Sequence, residues 1–225
     1  MLLSRGKGDA METSLLDKEL KVPVEVTTNG HTPEVVDVKT PIVRPGVEPS
    51  GGRIKGAVAL GVLRISLGFV FLWSFLDKAF ALGFSTGRNP DTGVIDFFGP
   101  DAWINGGSPT DGAILFGAKG PFADLYANLA GLGWVEWVYM LSVLLIGTAL
   151  ILGVATRLAA IGGVIWMGVF YTLTAIWPEH NPFVDEHVVY AIALVVIAML
   201  GAGRYLGLGE RWEHTALVKR FPVLK

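Results

Sequence analysis

The chain has no cysteine, only four histidines and few charged residues for its length, and each shortage narrows what it can be. Without cysteine there is no disulfide, no thiolate nucleophile, no iron–sulfur ligation and no covalent haem c attachment. The histidines (His31, His180, His187 and His214) all fall outside the middle of any long apolar run, so the paired imidazoles of a transmembrane b-type haem are missing as well. Charged residues make up 17% of the 225 residues, well below the roughly 25% of a soluble domain. The net charge of −2 leaves no case for nucleic-acid binding. The first residues also lack the apolar run and small-residue cleavage site of a signal peptide.

What the chain does have is apolar residues, 52% of the total, and they are unevenly distributed. Residues 1–55 hold 8 of the 18 Lys and Arg and are interrupted by Pro23, Pro33, Pro41, Pro45 and Pro49. They read as a disordered cytoplasmic tail. Four later segments meet the length of roughly 18 largely apolar residues needed to cross a bilayer. They run from Ala57 to Leu82, Trp134 to Ala155, Leu158 to Trp177 and Val188 to Tyr205. The expected fold is therefore all-α: an integral membrane four-helix bundle over residues 56–212, followed by a short cytoplasmic tail at 213–225. Trp73, Phe80, Trp134, Trp137, Tyr139, Trp177 and Tyr205 gather near the ends of these segments, as an interfacial belt would.

Lys and Arg in the connections set the orientation. Arg53, Lys55, Arg157, Arg204, Arg211, Lys219, Arg220 and Lys225 fall on one side. The other side carries Arg88 and Lys119 among Asp91, Asp96, Asp101, Asp111 and Asp124, and the acidic turn Glu179 to Glu186. The expectation is a multi-pass protein of the inner (plasma) membrane with both termini cytoplasmic. The long extracytoplasmic loop from Gly83 to Gly133 should contain short helices. Ser108 followed by Pro109 resembles a cap and first turn, and Pro121 can open a second helix with Phe122, Leu125, Tyr126 and Leu129 on one face. Gly131, Gly133, Gly147, Gly153, Gly162, Gly163, Gly168, Gly201 and Gly203 would let helices approach closely in lipid.

Ionisable residues inside such segments mark candidate sites. Arg64 either snorkels to the headgroups, forms a structural ion pair or faces a polar pocket. It lies 14 residues from Lys78, about 21 Å along a helix, so the two cannot serve one small ligand. Asp77 and Lys78 stand near the outer end of the first segment, and Phe69, Trp73 and Asp77 follow at i, i+4, i+8. They read either as an interfacial charge pair or as a proton-exchanging site beside a stacked ring. A quinone head fits the second reading, because its two-electron reduction takes up two protons at the membrane edge. In the turn from Pro178 to His187, Asp185 can cap the last helix and Glu186 can complement its dipole. His187 is not explained by capping and can pass protons near neutral pH. His180, Asp185, Glu186 and His187 have no recognised metal-ligand spacing, so no metal is expected.

Four stretches in this order resemble the DoxX/DoxD-like membrane protein family. They are Leu63 to Lys78, Gly106 to Thr110, Gly120 to Ala123 and Asn181 to His187. The resemblance covers approximately Ala57 to Trp212. It implies a four-helix membrane subunit like the DoxD-type subunit of a thiosulfate:quinone oxidoreductase, with a quinone as candidate co-substrate and a second redox subunit as partner besides the lipid bilayer. By motif it places Arg64, Asp77, Lys78, Asn181, Asp185, Glu186 and His187 at functional positions.

These residues point to the membrane subunit of a quinone-linked oxidoreductase, related by resemblance to sulfur compounds. Asp77, Glu186 and His187 would handle protons, while Arg64, Trp73, Lys78, Asn181 and Asp185 would bind substrate or quinone. The alternatives are a non-catalytic scaffold that recruits a soluble redox partner and a small transporter with Arg64 on its path. Four helices without a repeat suit the transporter least.

Overall fold

A computed structural model describes residues 50–224 of the chain, with side chains from Lys55 onward. Apart from its last six positions, the stretch read as a cytoplasmic tail lies outside the described residues. Among the described residues the structure is all helical and contains no strand.

Helix α1 runs over Ser50–Phe80. The long connection after it folds into a 3-10 turn at Trp103–Asn105, helix α2 at Asp111–Gly117, a second 3-10 turn at Gly120–Phe122 and helix α3 at Ala123–Ala127. Helix α4 spans Gly133–Leu152. Helix α5 spans Thr156–Phe170 and is prolonged by a π-helical turn over Tyr171–Ala175. Helix α6 spans Glu186–Met199, and two short helices, α7 (Gly209–Glu213) and α8 (Ala216–Arg220), follow.

Three stretches, Lys55–Phe80, Gly133–Leu152 and Thr156–Ala175, are long and apolar enough to cross a membrane. Their outward faces are apolar as well, with Phe69, Leu141, Leu145, Ile161 and Ile165 all exposed. A soluble protein would bury such a surface, so the chain reads as a membrane protein. The fourth expected segment is shorter than its hydropathy suggested. Helix α6 holds 14 residues, about 21 Å, against a hydrocarbon thickness of roughly 30 Å. It ends where Gly201 adopts φ +61° and the chain tightens into a 3-10 turn at Ala202–Arg204.

The helices α1 and α4 pack together, α5 lies against both α4 and α6, and α6 returns to α1. Leu67 and Phe71 of α1, Met140, Val143 and Leu150 of α4, Met167 of α5 and Leu194 and Ile197 of α6 form one core. Glycine sets the closest approach: a Cβ on Gly147 would lie 2.5 Å from the Leu72 backbone nitrogen, and one on Gly163 2.8 Å from Leu194. Gly131, Gly133, Gly168 and Gly201 have open space where a Cβ would stand and do not serve helix contacts.

At one end of the bundle the Arg64 side chain is fully buried. Its Nη1 donates to the carbonyls of Leu150 and Ile151, and its Nη2 to Tyr205 (2.9 Å) and Leu206 (3.1 Å). The last carbonyls of α4 have no intrahelical donor, and a guanidinium with a fixed fork of N–H groups meets them and the negative end of the helix dipole together. Gly153 continues past α4 at φ +75°, and a Cβ there would come within 3.0 Å of Arg64 Nη1. Arg64 is therefore a clamp joining α1, α4 and the segment after α6. Replacing it with methionine removes the side-chain donor from four backbone carbonyls, of which Leu150 keeps a bond from the Gly153 N–H at 3.3 Å; each carbonyl left unmet costs about 1–3 kcal/mol. Thermal unfolding of Arg64→Met in detergent should show a loss of about 3–5 kcal/mol, and an unchanged midpoint would refute the clamp.

Candidate functional site

At the other end, α1 finishes in a tight loop. Ala81 takes φ +52° and Gly83 φ +85°, and the chain turns back so that residues 84 and 85 lie beside the last turn of the helix. Asp77 organises this return. Its buried carboxylate accepts from the Phe84 N–H at 3.0 Å, the Ser85 N–H at 2.9 Å and the Ser85 hydroxyl at 2.6 Å. A carboxylate among carbon atoms is held by such charge-assisted bonds. Ser85, fixed in this way, receives a bond from Lys78 Nζ at 2.9 Å. Asp77 thereby positions Lys78 indirectly.

Lys78 opens on a cavity of about 550 Å³ between α1, α4 and α5, within the range of small-molecule sites. Phe71, Ser74 and Lys78, spaced i, i+3, i+7, line it from α1. Tyr139, Trp166 and Phe170 supply aromatic walls, with the Tyr139 ring edge-on to Trp166 at 5.2 Å. The Tyr139 hydroxyl is tied to Ser74 Oγ at 2.6 Å, and Trp166 Nε1 donates to Ser142 Oγ at 2.7 Å. These internal bonds occupy the polar tips of the aromatic wall and hold the rings in place.

His187 reaches the cavity from the first turn of α6. Asp185 caps that helix by accepting from the Val188 N–H at 3.2 Å, and its other oxygen lies 2.5 Å from His187 Nδ1. The imidazole also packs 5.9 Å from the Phe170 ring. One carboxylate therefore both starts the helix and orients the ring, leaving Nε2 as the free imidazole nitrogen.

Helices α2 and α3 roof the cavity, contributing Pro109, Thr110, Ala113, Ile114, Tyr126 and Leu129. They are pinned down by Tyr126, whose hydroxyl meets Thr172 Oγ1 at 2.6 Å, and by the Lys119 N–H, which donates to Leu173 O at 2.8 Å. The sequence placed the cap of α2 at Ser108, but the helix starts at Asp111 with Thr110 in the N-cap position. The apolar stripe expected on α3 is split. Tyr126 and Leu129 face the cavity while Phe122 and Leu125 are exposed: Phe122 belongs to the preceding 3-10 turn, and α3 ends at Ala127, before Leu129.

Of the residues singled out in the sequence, Lys78 and His187 line one cavity. Asp77 lies behind the lining, and Glu186 is exposed at the start of α6. Trp73 stacks on Phe69 at 5.6 Å and meets the edge of Phe84 at 5.0 Å, away from the cavity lining. Asn181 closes its own turn, accepting from the Phe183 and Val184 N–H groups. Arg64 stands apart, at the clamp. Asp185, Glu186 and His187 bring ligand-type atoms within 4.8 Å of one another, but two of the three are already paired.

The family models, the curated proteins and the solved structures offer no match to this chain. The site must therefore be read from its own chemistry.

The residues missed in the sequence are Ser85, Thr110, Trp166 and Phe170. Tyr139 reads in the sequence as a belt aromatic, yet it is buried. Its signal was angular: it stands two positions from the exposed Trp137, about 200° round the helix and so on the inner face. The Asp77 brace gives a direct test. Asp77→Ala removes three bonds to a charged acceptor, at about 1.5–3 kcal/mol each before relaxation. Hydrogen exchange at the Phe84 and Ser85 amides should accelerate by at least about 100-fold, equivalent to about 2.7 kcal/mol. Unchanged protection there would refute the brace.

Proposed function

We propose that this chain is the membrane subunit of a quinone-linked oxidoreductase of the DoxX/DoxD-like kind, and that the cavity beside Lys78 receives the quinone head. The observation that carries this reading is the juxtaposition of a lysine and an acid-paired histidine on a cavity lined mostly by aromatic and aliphatic side chains. A quinone head is a flat apolar ring with carbonyl oxygens. The aromatic walls suit the ring, Lys78 Nζ can donate to an oxygen, and His187 can deliver a proton while Asp185 steadies the imidazolium. Reduction to quinol needs two electrons and two protons. The electrons come from a second redox subunit, and the protons pass through His187 rather than Asp77 or Glu186, neither of which lines the cavity.

Access from lipid is consistent with this role. Val70, Trp134 and Val138 line the cavity and are also exposed on the apolar exterior, so a lipophile can enter sideways from hydrocarbon. In this proposal α6 completes a fourth crossing. It starts at the cavity with His187, and the segment just beyond it reaches the opposite end of the bundle, where Tyr205 and Leu206 accept from Arg64. The helix and the turn after it together run from the cavity to the Arg64 end, the flanking turns supplying the length that the helix lacks. Lys78 and the acidic loop then face outward, with both termini cytoplasmic in the inner membrane.

The test is a quinone titration of purified protein in detergent. Ubiquinone-1 should quench the fluorescence of Trp134 and Trp166 saturably, and Lys78→Met should weaken the affinity about tenfold, or 1.4 kcal/mol. Quenching that never saturates, or that is indifferent to Lys78, would remove the quinone reading.

A further inference from the structure

A second cavity, of about 240 Å³, lies at the Arg64 end of the bundle, where the first turn of α5, the end of α6 and helix α7 meet. It is smaller than the roughly 300–1,000 Å³ of a whole-ligand site, a size that suits one polar head. Helix α5 starts here without a side-chain cap. Its N-cap residue is Ala155, at φ +46°, which offers no acceptor. The N–H groups of Thr156, Arg157 and Leu158 have no acceptor among the described residues, and pairing begins with the Ala159 N–H on the Ala155 carbonyl at 3.0 Å. Unmet donors at the positive end of a 15-residue helix attract an anion.

The Thr156 side chain is a separate sign of a ligand. The residue is only 5% exposed, yet its hydroxyl makes no hydrogen bond among the described residues. Unlike Arg64 Nε, this oxygen is not sealed from solvent, and the residue lines the cavity. Gly203 keeps room beside it: a Cβ there would stand 2.4 Å from the Thr156 oxygen. Charge agrees in sign. Arg157 lines the cavity, is exposed, and has no ion-pair or hydrogen-bond partner among the described residues. Arg204 donates through Nε and Nη2 to the two Glu213 oxygens at 2.9 and 2.6 Å, which leaves Nη1 as a further donor. Glu213 offsets Arg204, so Arg157 makes the lining cationic.

We infer that this cavity binds a phosphate group, carried either by an anionic phospholipid or by a soluble phosphate. The α5 amides and the Thr156 hydroxyl donate to its oxygens, and the two arginines neutralise its charge. Met199 and Leu200 line the same cavity and are exposed on the apolar exterior, so the chains of a lipid can run along α6 while its head stays inside. In the orientation proposed above, this end faces the cytoplasmic leaflet, where anionic lipids attract basic residues. The site is independent of the cavity beside Lys78 and of what that cavity holds.

The experiment uses the full chain in a non-ionic detergent. Dioleoyl-phosphatidylglycerol and inorganic phosphate are titrated separately and binding is counted by native mass spectrometry. Thr156→Val keeps the shape, removes the hydroxyl and should weaken binding about tenfold. Arg157→Gln should weaken it about fivefold. Thr156→Ser should bind within about threefold of the parent, because it keeps the donor. Arg211→Gln removes an exposed charge outside the cavity and should leave affinity unchanged. Saturable binding of the lipid alone, with this pattern, upholds the site and names a phospholipid. The same pattern with inorganic phosphate upholds it and names a soluble phosphate. Equal affinity in the parent, Thr156→Val and Arg157→Gln overturns the inference, as does an equal loss in Arg211→Gln, which would mark general surface attraction. Failure of the parent to bind either probe saturably also overturns it. If Thr156→Val does not fold, the comparison of Arg157→Gln with Arg211→Gln decides.

Discussion

Hydrocarbon accepts an ionisable side chain only when the protein itself meets the polar atoms, and beyond Lys55 α1 carries three such side chains among otherwise apolar turns. Each is met differently. Arg64 takes four backbone carbonyls from two other segments. Asp77 takes two amides and a hydroxyl from the loop that follows it. Lys78 has three donor directions and makes one hydrogen bond, to Ser85. Two of the three charges are thus absorbed into architecture, and the third is left with donors facing a cavity. This division separates a structural end of the bundle from a chemical end.

The bonding of the cavity's aromatic wall bears on its occupant. Its aromatic tips are bonded internally, Tyr139 to Ser74 and Trp166 to Ser142, so they offer little to water. What stays open is a cation and an imidazole edge. Such a lining favours a ligand that is mostly apolar and carries a few oxygens, over either a hydrophilic anion or a bare hydrocarbon. The π-helical turn over Tyr171–Ala175 belongs to the same design. It widens α5 beside Phe170 and Leu173, which both line the cavity, and it brings Thr172 under the Tyr126 hydroxyl that anchors the roof.

Much of the helical framework was legible from apolar run length alone, because backbone groups in lipid leave few alternatives to helix. Length misled at α6, where the hydropathy continues past the helix but Gly201 turns the chain. The two-ended arrangement was legible too, since 14 residues of helix already separate Arg64 from Lys78. What could not be read was which partner each charge finds. Arg64 meets carbonyls more than 80 residues away in sequence, at Leu150 and Ile151. The roof was legible only as a loop with short helices, and its cap was placed two residues early. Ser108 and Thr110 are both good capping residues, and local chemistry alone does not choose between them.

The choice of face on α1 shows how fine the distinction is. The stripe Phe69, Trp73, Asp77 stands out in the sequence because it ends in a charge, yet it leads to the loop and the apolar exterior. The stripe one residue round, through Val70, Ser74 and Lys78, lines the cavity. A single step turns the helix by about 100°, so adjacent charges necessarily serve different surroundings. Electrostatics then decides which charge goes where. The final carbonyls of α1 favour a cation nearby and disfavour an anion, so Lys78 can stay largely unpaired at that end. Asp77 is tolerable only because the returning loop presents two N–H groups and a hydroxyl to it. The same loop carries Ser85 to Lys78. The anion therefore shapes the place in which the cation acts, and exchanging the two residues would remove the brace and the cavity's cation together.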